Sequence, residues 1–246
     1  MITSLQNEKI KEYTKLNNKK YRDLEGLFIA SGDHLVKEAS KAGLIKEIFL
    51  LEKEDNIYGE VTYVTKEILK KISGLETNPK VLAICYKKNK EEITGNVIMI
   101  DDLADPGNLG TIIRSAVAFN YQTIIISNNT VDPYNNKVVR ASEGTIFNIN
   151  LIITSLDEAI KDLKKSSYLI LGTDVKAGKK LNQPNRKHAL IIGSENQGIR
   201  KNLLELTDYN LKIKMNPKVE SLNAGVAASI LMHELNNGGD DNQNNN

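Results

Sequence analysis

Val97-Ile98-Met99-Ile100-Asp101-Asp102-Leu103-Ala104-Asp105-Pro106-Gly107-Asn108-Leu109-Gly110 decides the fold. Four consecutive apolar residues read as a strand buried on both faces, since a half-exposed strand would alternate. A polar loop with Pro and Gly follows. Ile112, Ile113, Ala116 and Val117 then recur at helical spacing, over about 110–119. The same strand–loop–helix unit repeats downstream. Strands are expected at 97–100, 123–127, 149–153, 168–172, 189–193 and 211–215. Helices are expected near 110–119, 156–165, 201–206 and 223–235, with Ser155 and Glu158 as a capping box. Apolar strands separated by helices predict an α/β fold with a mainly parallel sheet covered on both faces.

Upstream the pattern differs. A lysine-rich helix is expected over 4–16, a second over 33–42, and a third after Thr65. Short strands are expected at 45–51, 61–64 and 81–86. Residues 87–95 are charged, lack periodicity and end in Gly95, which reads as a linker. At about 150 residues per domain, a chain of 246 holds one or two. The reading is a small α/β domain over 1–87, a linker over 88–95 and the larger α/β domain over 96–236. The tail 237–246, NNGGDDNQNNN with its preceding Asn236, has nothing to bury and is expected to be disordered.

Hydrophobic residues make up 40% and charged residues 26%, which excludes a largely disordered chain, a collagen-like repeat and a disulfide scaffold. The net charge of +2 neither requires nor forbids nucleic acid, because a basic face can sit on a nearly neutral protein. Of 33 basic residues only Arg22, Arg114, Arg140, Arg186 and Arg200 are arginines. In a chain that defaults to lysine, each marks a place where a planar donor fork is useful. Cys85 lies in an apolar strand and reads as a structural thiol, and three scattered histidines make no metal site. The charged N-terminus is no signal peptide, and no run approaches the 18 or so apolar residues of a membrane span. A cytoplasmic, metal-free protein with no membrane association is the expectation.

Parallel sheets bind ligands beyond the carboxyl ends of their strands. Three loops there carry glycine and polar residues: 101–110, 193–198 and 216–223. No G-x-G-x-x-G occurs. Gly193 to Gly198 fits the first half of a P-loop, but Ile199 and Arg200 stand where Lys and Ser or Thr would do its chemistry. The loop reads either as a plain turn or as a backbone clamp for a small polar ligand. Asn108 reads as a helix cap or a site residue, and so do Ser221 and Asn223. Arg114 stands on a helix apolar enough to be largely buried, so it needs an anionic partner, structural or substrate.

Together these loops resemble the SpoU/TrmH branch of the SPOUT methyltransferases. The motifs are Asn108-Leu109-Gly110-Thr111-Ile112-Ile113-Arg114-Ser115-Ala116, then Ile192-Gly193-Ser194-Glu195-Asn196-Gln197-Gly198, then Ile213-Lys214-Met215 through Glu220-Ser221-Leu222-Asn223-Ala224, in the family's order. Upstream, Asn7 to Lys11, Lys20-Tyr21-Arg22 and Phe28 to Gly32 resemble the RNA substrate-binding domain of many members. Lys214 stands where the family usually has Pro, Pro217 where it has Gly, and Ser31 where relatives are commonly acidic.

The resemblance implies a SPOUT domain with a deep trefoil knot and transfer of a methyl group from S-adenosylmethionine to a ribose 2′-hydroxyl of RNA. Ribosomal RNA is favoured, with tRNA the neighbouring reading. A non-catalytic RNA-binding or ribosome-assembly protein on the same fold is the alternative from another class. By motif position Arg114, Asn108, Glu195, Ser221 and Asn223 are the catalytic set, with Glu195 a partner for Arg114. Gly193, Ile213, Leu222 and Thr173 are implied as cofactor contacts. Lys20, Arg22 and Arg140 are implied as RNA contacts, and a homodimer packed through the knotted domain is expected.

Overall fold

Val97, Ile98, Met99 and Ile100 are fully buried within a six-stranded sheet, as continuous apolarity requires. The computed structural model describes residues 1–76, 78–89, 91–173, 184–195 and 197–236, so the expected disorder of the tail lies outside the described residues. The chain forms two compact units. One comprises Met1–Asn89 with Asp132–Asn148, the other Lys90–Val131 with Ile149–Asn246.

The first unit begins with α1 (Glu8–Lys15), α2 (Lys19–Glu25), β1 (Leu27–Ser31), α3 (Asp33–Lys41), β2 (Ile45–Leu51), β3 (Thr62–Val64), α4 (Lys66–Ser73) and β4 (Val81–Tyr86). The sheet order is β1-β4-β2-β3, antiparallel except for the parallel β2–β3 pair. Ile10, Tyr13 and Leu16 pack with Ile68, Leu69 and Ile72 against Ile29, Phe49 and Ile84. α1 starts later than expected, at Glu8, because the Asn7 side chain accepts the N–H of Lys9 and caps it there. The expected helix over 33–42 and the strands over 45–51 and 81–86 form within a residue of their bounds, whereas α2 and β1 were not foreseen. Cys85 is fully buried, and burial pushes its thiol up, so it is an inert core residue.

The second unit carries β5 (Asn96–Ile100), α5 (Pro106–Ala118) and β6 (Tyr121–Ile126). The chain then leaves it for α6 (Asn136–Ala141) and a short 3₁₀ turn, Thr145–Asn148, which belong to the first unit. It returns with β7 (Asn150–Ile153), α7 (Leu156–Lys165), β8 (Leu169–Thr173), β9 (His188–Ile192), α8 (Lys201–Leu204), β10 (Tyr209–Leu211) and α9 (Ala224–Asn236). The order is β10-β8-β9-β5-β6-β7, and every pairing is parallel. Met99, Ile125, Ile170 and Ile191 meet α7 on one face, and α5 packs along α9 on the larger sheet's unit.

Two local expectations fail here. Ser155 occupies the N-cap of α7 but its side chain accepts no cap hydrogen bond, so the capping box with Glu158 does not form. The strand expected over 211–215 stops at Leu211, where its partner β8 ends its pairing at Thr173.

Candidate active site

The loops after β5, β9 and β10 meet at the carboxyl edge of the sheet. α5 is started by Asp105, whose Oδ1 accepts the Asn108 N–H at 2.7 Å, with Pro106 in the first helical turn where its missing N–H costs nothing. Asn108 is therefore inside the helix, not its cap. Only 6% exposed, its Nδ2 donates to Glu195 Oε1 at 2.8 Å and its Oδ1 accepts from Asn223 Nδ2 at 2.7 Å. Asn223 Nδ2 donates also to Glu195 Oε1 at 3.0 Å, and the Ala224 N–H reaches the same oxygen at 3.3 Å. Asn223 Oδ1 accepts the Val226 N–H at 3.2 Å, so Asn223 is both helix cap and network member. One ionised oxygen thus holds three loops in register, and charge-assisted bonds of this kind are the strong ones. Among the described residues, Glu195 Oε2 has no hydrogen-bond partner.

Gly193 is required by close approach. A Cβ there would lie 2.1 Å from the carbonyl carbon of Gly198 and 2.3 Å from Ile199 N. The loop closes on itself through the Gly198 N–H to Ser194 O, 2.9 Å, with Gly198 at φ +67°. Asp101, missed in the sequence, fastens it from below. Its carboxylate accepts Arg200 Nε at 2.7 Å and Arg200 N–H at 2.8 Å, while its own N–H donates to Ile192 O at 2.9 Å. The available signal was an Asp ending an apolar strand in a chain with five arginines.

Beside the network lies a cavity of about 440 Å³ lined by all four expected cofactor contacts, Thr173, Gly193, Ile213 and Leu222. Ile192, Leu211, Met215 and Leu231 extend the apolar wall, and Ser221, Glu195 and Glu220 join it, opposed by one cation, Lys212. Glu220 was not foreseen. An apolar slot of this size with exposed loop backbone and two carboxylates suits an adenosine bearing a cationic sulfonium. Lys214 and Pro217, the departures from the family pattern, are exposed and do not line it. Leu211, Ile213 and Met215 do, at the two-residue spacing of an extended chain.

Arg114 departs from expectation. It is exposed on α5, with no hydrogen bond or ion pair among the described residues, and Glu195 is engaged elsewhere. It shares the outward stripe of α5 with Thr111 and Ala118, opposite Ile112, Ile113 and Ala116. Ser221 is also exposed. In the first unit Lys20 and Arg140 are exposed, whereas Arg22 is buried. It is 3% exposed, with Nε donating to Asp132 Oδ2 at 2.8 Å and Nη1 to Leu16 O at 2.7 Å. Among the described residues no group of three His, Cys, Asp or Glu could hold a metal, and no helix is long and apolar enough to cross a membrane.

Residues 95–233 match the SpoU rRNA Methylase family and residues 7–83 the MRM3-like substrate binding domain. The chain is 33% identical over 244 residues to the 23S rRNA (guanosine(2553)-2′-O)-methyltransferase RlmP of Bacillus subtilis, covering 95% of this chain and 98% of that one. A crystal structure of an S-adenosylmethionine-bound rRNA methyltransferase from Sinorhizobium meliloti superposes with TM-score 0.84 at 25% identity, over 95% and 96% of the chains. The SpoU methyltransferase AviRb from Streptomyces viridochromogenes, at 22% identity and TM-score 0.82 over 94% and 97%, shares the fold. The chain belongs to the SpoU rRNA methylase family. It transfers a methyl group from S-adenosylmethionine to a ribose 2′-hydroxyl of RNA.

Proposed function

We propose that the RNA is ribosomal, and that the target is the ribose of a guanosine in 23S rRNA. The observation that carries this is co-linear likeness to RlmP through both domains, rather than through the catalytic domain alone. The proposed organisation is a substrate-binding domain over 1–87 that also takes in 132–148, a linker over 88–95 and a knotted methyltransferase domain over the rest of 96–236. The proposed working form is a cytoplasmic homodimer.

When bound, S-adenosylmethionine supplies a methyl group already activated on a sulfonium. The chemical difficulty is the nucleophile, since a ribose hydroxyl is scarcely ionised at neutral pH. The chain's task is to align it and to stabilise the negative charge that develops on its oxygen. Arg114 carries a guanidinium with no partner among the described residues and is the group assigned to that oxygen. A guanidinium holds its proton too tightly to be a good base. Arg114 therefore lowers the hydroxyl's pKa, with a neighbouring RNA phosphate as the proton's destination. Glu195, Asn108 and Asn223 hold the three loops that surround the cavity, and Ser221 lies on its rim. Ile213 and Leu222, with Gly193 and Thr173 in the same lining, would hold the adenine. Glu195 and Glu220 place negative charge along the slot that receives a cationic donor.

The test is methyl transfer from labelled S-adenosylmethionine to unmodified 23S rRNA and to unmodified tRNA, separately, with nuclease digestion and mass spectrometry. A 2′-O-methylguanosine in the 23S pool, absent with Arg114→Ala, is expected. Product in tRNA alone would move the substrate assignment. RNA binding without cofactor binding or product in either pool would favour a non-catalytic ribosome-assembly role.

A further inference from the structure

Residues 132–148 lie between β6 and β7 in chain order, yet they are built into the first unit. Val138, Val139, Ile146 and Phe147 are buried there, and Phe28 packs against Tyr134 at 4.8 Å and Phe147 at 5.9 Å between ring centroids. Asn136 Nδ2 donates to Asn17 Oδ1 and to Ser73 O, each at 2.8 Å. The lock at its start is the Arg22–Asp132 pair, whose side chains are 4% and 5% exposed. Asp132 Oδ2 takes two nitrogens of Arg22, while Oδ1 accepts the Tyr134 N–H at 3.1 Å and so shapes the turn into α6. On the outer side of α6, Lys137 and Arg140 are exposed, three residues apart on one face, with no partners among the described residues.

A buried ion pair is weak evidence for stability, because desolvation offsets much of its attraction, and its better-attested use is to fix a register. We propose that Asp132–Asn148 is an RNA-binding arm of the substrate-binding unit, and that Arg22–Asp132 is a positioning pair that presents Lys137 and Arg140 to RNA phosphates. This rests on the RNA substrate reading above. Arg22 thus serves RNA binding without touching RNA. Arg140, the arm's only arginine, supplies the fork suited to a phosphate.

The experiment measures RNA affinity of the full chain against salt concentration, using a 23S rRNA transcript, alongside KM for RNA, kcat and the Kd of S-adenosylmethionine. Lys137→Ala/Arg140→Ala should flatten the slope of log affinity against log salt by about 1.4–1.8, the loss of two phosphate contacts. Asp132→Asn, with both cations intact, should flatten it likewise. KM should rise several times more than kcat falls, and cofactor Kd should hold. Combined, the three substitutions should do little more than either alone. Should Asp132→Asn fail to fold, Arg22→Lys, which keeps the charge and loses the fork, must show a reduced slope in part. An unchanged slope in Lys137→Ala/Arg140→Ala would overturn the arm. Full additivity, or an Asp132→Asn protein with lower kcat and an unchanged slope, would overturn the positioning role. Wild-type protein that neither binds nor methylates the transcript would instead sink the rRNA reading, and the inference with it.

Discussion

Arg22 and Arg114 both stand on helices, and both read in sequence as RNA-facing, yet the structure treats them oppositely. Arg22, on a helix written in charged residues, is buried against Asp132. Arg114, on an apolar helix, is exposed and unpaired among the described residues. The average polarity of a helix says little about one position on it. α5 is buried over most of its surface, but its outward stripe is free, and the arginine occupies that stripe. One arginine uses its fork inside the protein, and the other leaves it exposed.

The comparison breaks first at Arg22. Arg22→Ala leaves a carboxylate buried without its counter-charge, a change that costs about 3–5 kcal/mol. Urea unfolding should show a loss of that order, whereas a loss below about 1 kcal/mol would mean that Asp132 finds another partner. Arg114→Lys should behave inversely. Unfolding free energy should change by less than about 0.5 kcal/mol, as for an exposed site. Single-turnover methyl transfer should fall about 10²–10³-fold, the usual loss for one preorganised donor at a developing oxyanion. Near-full turnover with lysine would remove both roles considered for the guanidinium, base and electrostatic.

His188 shows a second solution to burial. It is 3% exposed, meets Tyr121 Oη at 2.7 Å, and burial lowers its pKa from 6.5 to about 4. Where Arg22 is buried charged and paired, His188 is buried neutral. Between those two pKa values the unfolded chain binds the extra proton, so the stabilisation present above pH 6.5 is lost as pH falls toward 4. The unfolding free energy of wild type minus that of His188→Gln should be flat above neutrality and decline by up to about 3 kcal/mol across that window. A difference independent of pH would mean that the imidazole titrates alike in the folded and unfolded chain.

What the sequence made legible follows the same division. The strands of the parallel sheet were readable because burial on both faces demands unbroken apolar runs, as in Val97–Ile100 and Ala189–Ile192. The motif resemblance picked out Thr173, Gly193, Ile213 and Leu222, and these four line one cavity. Decisions made by a single hydrogen bond across space were not readable. Asp105 rather than Asn108 caps α5, and Ser155 caps nothing through its side chain, although all three have cap-forming side chains. β10 runs over Tyr209–Leu211, ahead of the apolar alternation of Leu211, Ile213 and Met215 that suggested a strand there. Nor does chain order reveal that 132–148 joins the other unit, since its partners, Asn17, Arg22 and Phe28, lie about a hundred residues away.

The smallest expected effect tests whether Glu195 acts as the hub of its network or as one link. Its Oε1 accepts from Asn108, Asn223 and the Ala224 N–H, so the two asparagines are joined both directly and through it. Each of Asn108→Ala and Asn223→Ala should cost about 1–3 kcal/mol in transition-state stabilisation by leaving polar groups unpaired. Because they share one acceptor, the double variant should lose less than the sum, with a coupling of about 0.5–3 kcal/mol. Introducing Glu195→Gln should lower that coupling to the part carried by the direct Asn223–Asn108 bond, because the weaker neutral acceptor no longer draws both amides to one point. Arg114→Ala, in contrast, should add its full effect to either asparagine variant, as a side chain outside the network. Additive asparagines would mean that the loops are held by their backbones. Non-additivity with Arg114 would mean that the exposed arginine joins the network once substrate is bound, and the contrast between a spent fork and a free one would then describe the resting enzyme alone.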